Sequence, residues 1–298
     1  MTDGKFLALI RKASREGTYY YTEDELYHVA ALAAKKNWGC IGGGIFGTIF
    51  GLVFINVFIG DFSDSDQSLK FILSGVLVIS AIFLTIRSIP AKLPRKRWDK
   101  IVRHWKRNSS EPIVGLIEQT VLHQPPPQEM ESDIYQYGAS RLVICQHDIQ
   151  VDWLVLNNFH SANSAVIIGE NGYPGYIAAR ADELLQSNPG LEIVLVHDAS
   201  EEGNQMKQRI LSGWPIVEGQ IHDVGITKEM LSVFGVKSHV IKEFGDIFPL
   251  HALPYHHIQT LLSRSIHSIS DGGTGDFVFI WQVTYGEDGD LGGDGDFG

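Results

Sequence analysis

Two acids stand where an α/β sheet would put them to use. Glu170 closes the apolar run Ile167-Ile168-Gly169, and Asp198 follows Val194-Leu195-Val196-His197 and precedes Ala199-Ser200-Glu201-Glu202-Gly203. In open α/β sheets ligands gather beyond the carboxyl ends of the strands, where both side chains project. Two carboxylates there suit a divalent cation and, through it, chemistry on a small phosphorylated substrate. Glu170, Asp198 and Ser200 are therefore the catalytic candidates. Asp198 and Ser200 also have an ordinary use, because either can cap a helix that begins near Glu201.

The order of these residues resembles the magnesium sites of Toprim-type nucleic-acid enzymes: a glutamate after one strand, then an Asp-x-Asp-x-x-Gly run after a later one. Ser200 stands in place of the second aspartate, so the resemblance implies a magnesium site one ligand short and places the chain in no family. Charge opposes it as well. Residues 108–298 carry 8 Lys+Arg against 26 Asp+Glu, a net of −18, which repels a phosphate backbone. No nucleic-acid partner is expected.

The histidines offer a second metal reading through His147, His160 and Asp198. No paired CxxC or HxxxH spacing occurs, so such a site needs residues that only the fold brings together. Gly169, Gly172 and Gly175 form a tight turn that matches neither a dinucleotide fingerprint nor a phosphate loop. No cofactor is predicted, and a divalent metal is the alternative. The cysteines Cys40 and Cys145 make no disulfide framework.

The elements that position these residues belong to a domain over 132–285, after a linker at 109–131 that includes Pro125, Pro126 and Pro127. Strands are expected at Leu142 to Cys145, Trp153 to Leu156, Ala165 to Ile168, Ile193 to Val196 and Ile216 to Val217, with a late strand at Phe277 to Val283. Helices are expected at Tyr176 to Gln186, Glu202 to Leu211, Lys228 to Phe234 and Leu250 to Ser268. Short apolar runs alternating with helical patterns predict an α/β domain with a largely parallel sheet. Residues 286–298 form an acidic Gly/Asp-rich tail. Its Gly292 to Asp296 run is a single, out-of-register copy of a calcium-binding repeat, too little for a calcium site.

Ahead of this domain the pattern changes. No charged residue occurs from Trp38 to Gly60 or from Phe71 to Ile86, and the first run, at about 1.5 Å per residue, is about 34 Å long. That length suits a hydrocarbon core of about 30 Å, so the chain is expected to be membrane-anchored, with spans at 38–60 and 71–89 joined by a turn at 61–70. Gly39, Gly43, Gly47 and Gly51 recur at every fourth position and predict a close helix contact, either with the second span or with the same helix of another copy, so that self-association through the first span is expected. Residues 1–107 carry 16 Lys+Arg against 9 Asp+Glu, and the turn is acidic, which places both termini in the cytoplasm.

Two helical segments flank the spans. Residues 1–37 predict two helices, the second opened by Thr22 and Glu25 as a capping box. Within 90–108, Trp98, Ile101, Val102 and Trp105 share one face, while Arg95, Lys96, Arg97, Lys100 and Arg103 take the rest. That is the pattern of a helix lying in the headgroups of membrane lipids. No Asp, Glu, Lys, Arg or His lies in 38–60 or 71–86, and Arg87 stands only at the end of the second span, which argues against a transporter. The function these features predict is an anchored adaptor or regulatory subunit that binds a cytoplasmic protein partner. A membrane-tethered metal-dependent enzyme using Glu170 and Asp198 is the alternative, and a channel subunit the third reading.

Overall fold

In a computed structural model, the described residues are 3–33, 93–109, 113–124, 139–234, 236, 238–245 and 247–270. Met1–Val29 and Arg95–Gly298 make one compact unit and Ala30–Pro94 another, nearly all of the second lying outside the described residues.

The first unit opens with α1 (Asp3–Ala13), the two-residue strand β1 (Tyr21–Thr22) and α2 (Glu23–Ala33). Thr22 caps α2, its hydroxyl accepting from Glu25 N–H at 3.1 Å and donating to the His251 carbonyl at 2.7 Å. The predicted capping box is only half made. The Glu25 carboxylate turns inward and accepts the Tyr255 N–H at 3.1 Å. Next comes α3 (Arg95–Asn108), followed by β2 (Leu116–Ile117), which pairs in parallel with β1.

The stripe of α3 expected to meet lipid lies against protein in this structure. Trp98 is fully buried, with ring centroids 5.8 Å from Phe6 and 6.2 Å from Tyr27, and Trp105 stands 4.9 Å from Phe6. Arg95 pairs with Asp24 at 2.7 Å and Lys106 with Glu118 at 3.1 Å. Lys96, Arg97, Lys100 and Arg103 are exposed on the other face.

The main sheet comes from residues 141–223. The chain runs through β3 (Arg141–Cys145), α4 (Asp148–Leu156), the single turn α5 (Phe159–Ala162), β4 (Ala165–Gly169), α6 (Gly175–Ser187) and β5 (Glu192–Val196). It continues through α7 (Glu201–Asn204), α8 (Met206–Gly213) and β6 (Ile221–Asp223). All four strands are parallel, in the order β4-β3-β5-β6, with Cys145 level with Gly169 on one side and Val196 on the other. The inner strands are apolar at almost every position because helices cover both faces of the sheet. On one face Leu142, Ile144, Val166 and Leu195 pack with Ile177 and Ala181 of α6 and Ile210 of α8; α4 packs against β3 and β4.

The chain then forms α9 (Lys228–Val233), α10 (Ser238–Phe244) and α11 (Tyr255–Ser270). Between α10 and α11 the backbone crosses the end of β5, where Ala199 and Phe248 form an antiparallel bridge.

Three expectations are corrected. Trp153 to Leu156, expected as a strand, is the last part of α4; the run is apolar on every side, and a short run of that kind has no periodicity to separate a buried helix from a strand. Ile216 to Val217 is not a strand either. The fourth strand lies at Ile221–Asp223, a three-residue edge strand in which only Ile221 is apolar, so it carries little hydrophobic signal.

The third correction concerns the membrane. No helix among the described residues is long and apolar enough to cross one. The longest, α11, has 16 residues and reaches only about 24 Å at about 1.5 Å per residue. What the described residues form is a mixed α/β fold with parallel sheets. This overturns the membrane-anchored architecture, the two-span placement with cytoplasmic termini, and the adaptor, tethered-enzyme and channel readings built on it. The stretches 38–60, 61–70 and 71–89, with Gly39, Gly43, Gly47 and Gly51, lie outside the described residues, as do the late strand and the tail at 286–298.

Candidate functional site

Parallel strands all finish at one edge of a sheet. Here β3 is followed by β4 on one side and the chain then returns to lay β5 on the other, so the strand order reverses between β3 and β5. A crevice at such a switch point is where open α/β sheets receive ligands. The residues delivered to it are Gln146, His147 and Asp148 after β3, and His197, Asp198 and Ser200 after β5.

Asp198 is the hub. Its side chain is 2% exposed and its carboxylate accepts from three donors: His147 Nε2 at 3.1 Å, Leu250 N–H at 2.8 Å, and the Gln150 side-chain amide. Its own backbone N–H donates to Gln146 Oε1 at 2.9 Å. Together these four bonds tie the acid to three parts of the fold: the turn after β3, the first turn of α4, and the segment that bridges to Ala199.

His147 sits on this support with its own side chain 42% exposed. It immediately precedes α4, and its backbone N–H donates to Gln150 Oε1 at 3.1 Å. With Nε2 on Asp198, the neutral tautomer protonated at Nε2 leaves the Nδ1 lone pair available. The hydrogen bond to Asp198 raises the imidazole above its ordinary pKa; partial burial opposes this, and the charges of Asp198, Glu202 and Asp148 add to the rise.

A second His–Asp pair lies beside the first with the burial reversed. His197 is 2% exposed and Asp223, at the end of β6, is 38% exposed, with His197 Nε2 2.9 Å from Asp223 Oδ1. His197 Nδ1 lies 2.8 Å from the Asp198 carbonyl.

The other predicted residues are used differently. Ser200 caps α7, its hydroxyl accepting from Gly203 N–H at 2.9 Å, so the capping use is the one the fold makes. Glu170 follows β4 as expected, but both carboxylate oxygens are taken by Arg209, at 2.6 and 2.8 Å. Arg209 also donates to the Glu202 carbonyl at 2.7 Å. The loop that carries Glu170 is tied down through Tyr173, whose hydroxyl donates to Asp152 at 2.7 Å and accepts from Leu122 N–H at 2.7 Å.

The two metal readings do not assemble. Among the described residues no group of three His, Cys, Asp or Glu side chains is placed to hold a metal ion. His147 and Asp198 do meet, but His160 belongs to α5, beyond the far end of α4, about 13 Å of helix from His147. Burial there holds the His160 pKa below its ordinary value. The Cys145 thiol is also fully buried, which pushes its pKa up and keeps it unreactive.

Sequence reasoning grouped Asp198 and His147 with His160 as metal candidates and missed Gln146, Gln150 and Leu250, which complete the setting. The available signal was the repetition of a histidine and an acid just past two strands, Gln146-His147-Asp148 and His197-Asp198. No known protein family, curated protein or solved structure matches the chain, so the site is argued from its own geometry.

Proposed function

We propose that the α/β domain is a hydrolytic enzyme acting by general acid–base catalysis, with His147 the group that exchanges a proton with water or substrate and Asp198 the residue that orients it. The observation that carries this reading is a solvent-reachable imidazole held by a buried, fully hydrogen-bonded carboxylate at the switch point of a parallel sheet. A histidine serves this role because its pKa lies close to neutral pH, and a carboxylate partner fixes its tautomer and stabilises its charged form.

Substrate charge follows from the neighbours. Asp148 and Glu202 both act on His147 electrostatically. Arg209, which also meets Glu202, has its guanidinium engaged by Glu170. Such surroundings favour an uncharged or cationic ester or amide over a polyanion. Nδ1 takes the proton of the attacking water and later returns one to the leaving group, while Nε2–H stays on Asp198.

Hydrolysis of 4-nitrophenyl acetate by the full chain tests the reading. The rate is expected to rise with pH through a midpoint above the ~6.5 of a free imidazole, because the neutral base is the active form. His147→Gln is expected to lower it by a factor on the order of 10² or more. An unchanged rate in His147→Gln overturns the assignment.

A further inference from the structure

His197 faces two oxygen atoms that accept hydrogen bonds, the Asp198 carbonyl at Nδ1 and the Asp223 carboxylate at Nε2. A neutral imidazole has one N–H and one lone pair, so it satisfies one of these and turns a lone pair toward the other. Only the form protonated on both nitrogens satisfies both. Moving the shared proton to Asp223 would also close the circuit, but the ion pair with His197 holds the Asp223 carboxyl below its ordinary pKa, although burial works to raise it.

The ring has no room to turn away from these partners. A Cβ added at Gly225 would overlap the ring carbon Cδ2, and one added at Gly203 would lie 2.7 Å from Nδ1. Backbone therefore closes on the imidazole from the α7 side and from the turn after β6.

We propose that His197 is a buried imidazolium, charged by Asp223 and clamped between Gly203 and Gly225, whose Nδ1–H holds the Asp198 carbonyl and thereby aims the carboxylate on which His147 rests. The charged groups around it are Asp223 at the end of β6, Asp198 next in sequence after β5, Lys207 of α8 acting on Asp223, and His147 on the far side of Asp198. Burial alone would discharge the ring, but the bonds and charges of Asp223 and Asp198 outweigh it and the pKa is raised. His197 touches no substrate and is a positioning residue. Only this aiming step rests on the His147–Asp198 reading; the charge state stands by itself.

Nitrogen NMR of the full chain labelled with [15N]histidine reads both parts. In the wild type, His197 is expected to keep both ring nitrogens protonated above the ~6.5 at which a free imidazole loses its second proton. Asp223→Asn is expected to leave a proton on Nδ1 alone. A neutral His197 in the wild type at pH 7 overturns the proposal, and so does an imidazolium that survives unchanged in Asp223→Asn.

The aiming role is read at His147. His197→Asn can donate from the position of Nδ1, whereas His197→Gln donates only from that of Nε2. The titration midpoint of His147 is expected to keep its wild-type value in the first and to fall toward ~6.5 in the second. Equal midpoints overturn the aiming role. If ester hydrolysis proves independent of His147, the proposed function falls while the charge of His197 is still decided by the ring nitrogens.

Discussion

The His147–Asp198 and His197–Asp223 pairs use the same two residue types at similar distances, 3.1 and 2.9 Å, and differ in which member solvent can reach. In the first the imidazole is open and the acid is sealed; in the second the imidazole is sealed and the acid is half open. A proton on an open imidazole can be passed to a ligand, whereas one on a sealed imidazole can only hold its neighbours in place. Burial, rather than residue identity or separation, divides the labour between chemistry and support.

The most severe way to break the comparison is through the clamp. Gly225→Ala forces a methyl into the His197 ring, and Gly203→Ala forces one against the Asp198 carbonyl. Neither obstacle is the free end of a flexible chain, so each substitution is expected to cost on the order of 4 kcal/mol and to lower the urea midpoint steeply. Gly169→Ala makes the control. Its added methyl would meet the Asp148 carboxylate at 2.7 Å, and a side chain can swing aside, so the loss in urea is expected to be much smaller.

Exchanging each acid for its amide sharpens the contrast. Asp198→Asn leaves three donors sharing a neutral side chain and is expected to slow ester hydrolysis by roughly 10²- to 10⁴-fold, with about 1–3 kcal/mol of stability lost. Asp223→Asn removes one charge at a half-open position and is expected to cost about 1 kcal/mol, because Asn still bonds to Nε2. Hydrolysis rates and urea midpoints for the two variants, measured side by side, check the ranking. Equal effects would erase the distinction between the open and the sealed pair.

Changing pH separates the charged buried histidine from the neutral ones. The raised pKa of His197 stabilises the fold fully below ~6.5 and ceases to do so as pH climbs through its folded value. His28 and His257, depressed to about 4, and His256, to about 3, act in the opposite sense; burial is the main cause in each. Their contribution is present above ~6.5 and lost as pH falls toward 4, on the order of a few kcal/mol together. Thermal unfolding across pH 4 to 9 is expected to show losses on both sides. In Asp223→Asn the alkaline loss is expected to shrink to the share that His147, whose pKa is also raised, contributes, while the acid loss remains.

Much of the parallel sheet was legible from the residues. Leu142 to Cys145, Ala165 to Ile168 and Ile193 to Val196 agree with the observed strands to within a residue, because a strand covered on both faces is a short unbroken apolar run flanked by turns. The same logic failed at Trp153 to Leu156, where an equally apolar run is helical. The amphipathic pattern of α3 was also legible, but not the protein surface its tryptophans meet: Phe6 and Tyr27 lie far away in sequence. Of the candidate site, Asp198 and His147 could be selected by type and position. Glu170 was selected on the same grounds, yet its charge is spent on Arg209, 39 residues further along the chain.

The sequence by itself determined the alternation of strand and helix and the placing of polar side chains just past strand ends, because both depend on local periodicity and on the residues at each turn. Only the tertiary structure decided which of those side chains meet. Asp198 gains its partners from positions up to 52 residues away, and the burial that separates His147 from His197 depends on backbone packed around each ring. Hydrogen bonds between strand ends and exclusion of water are properties of the assembled sheet, so no window along the chain contains them.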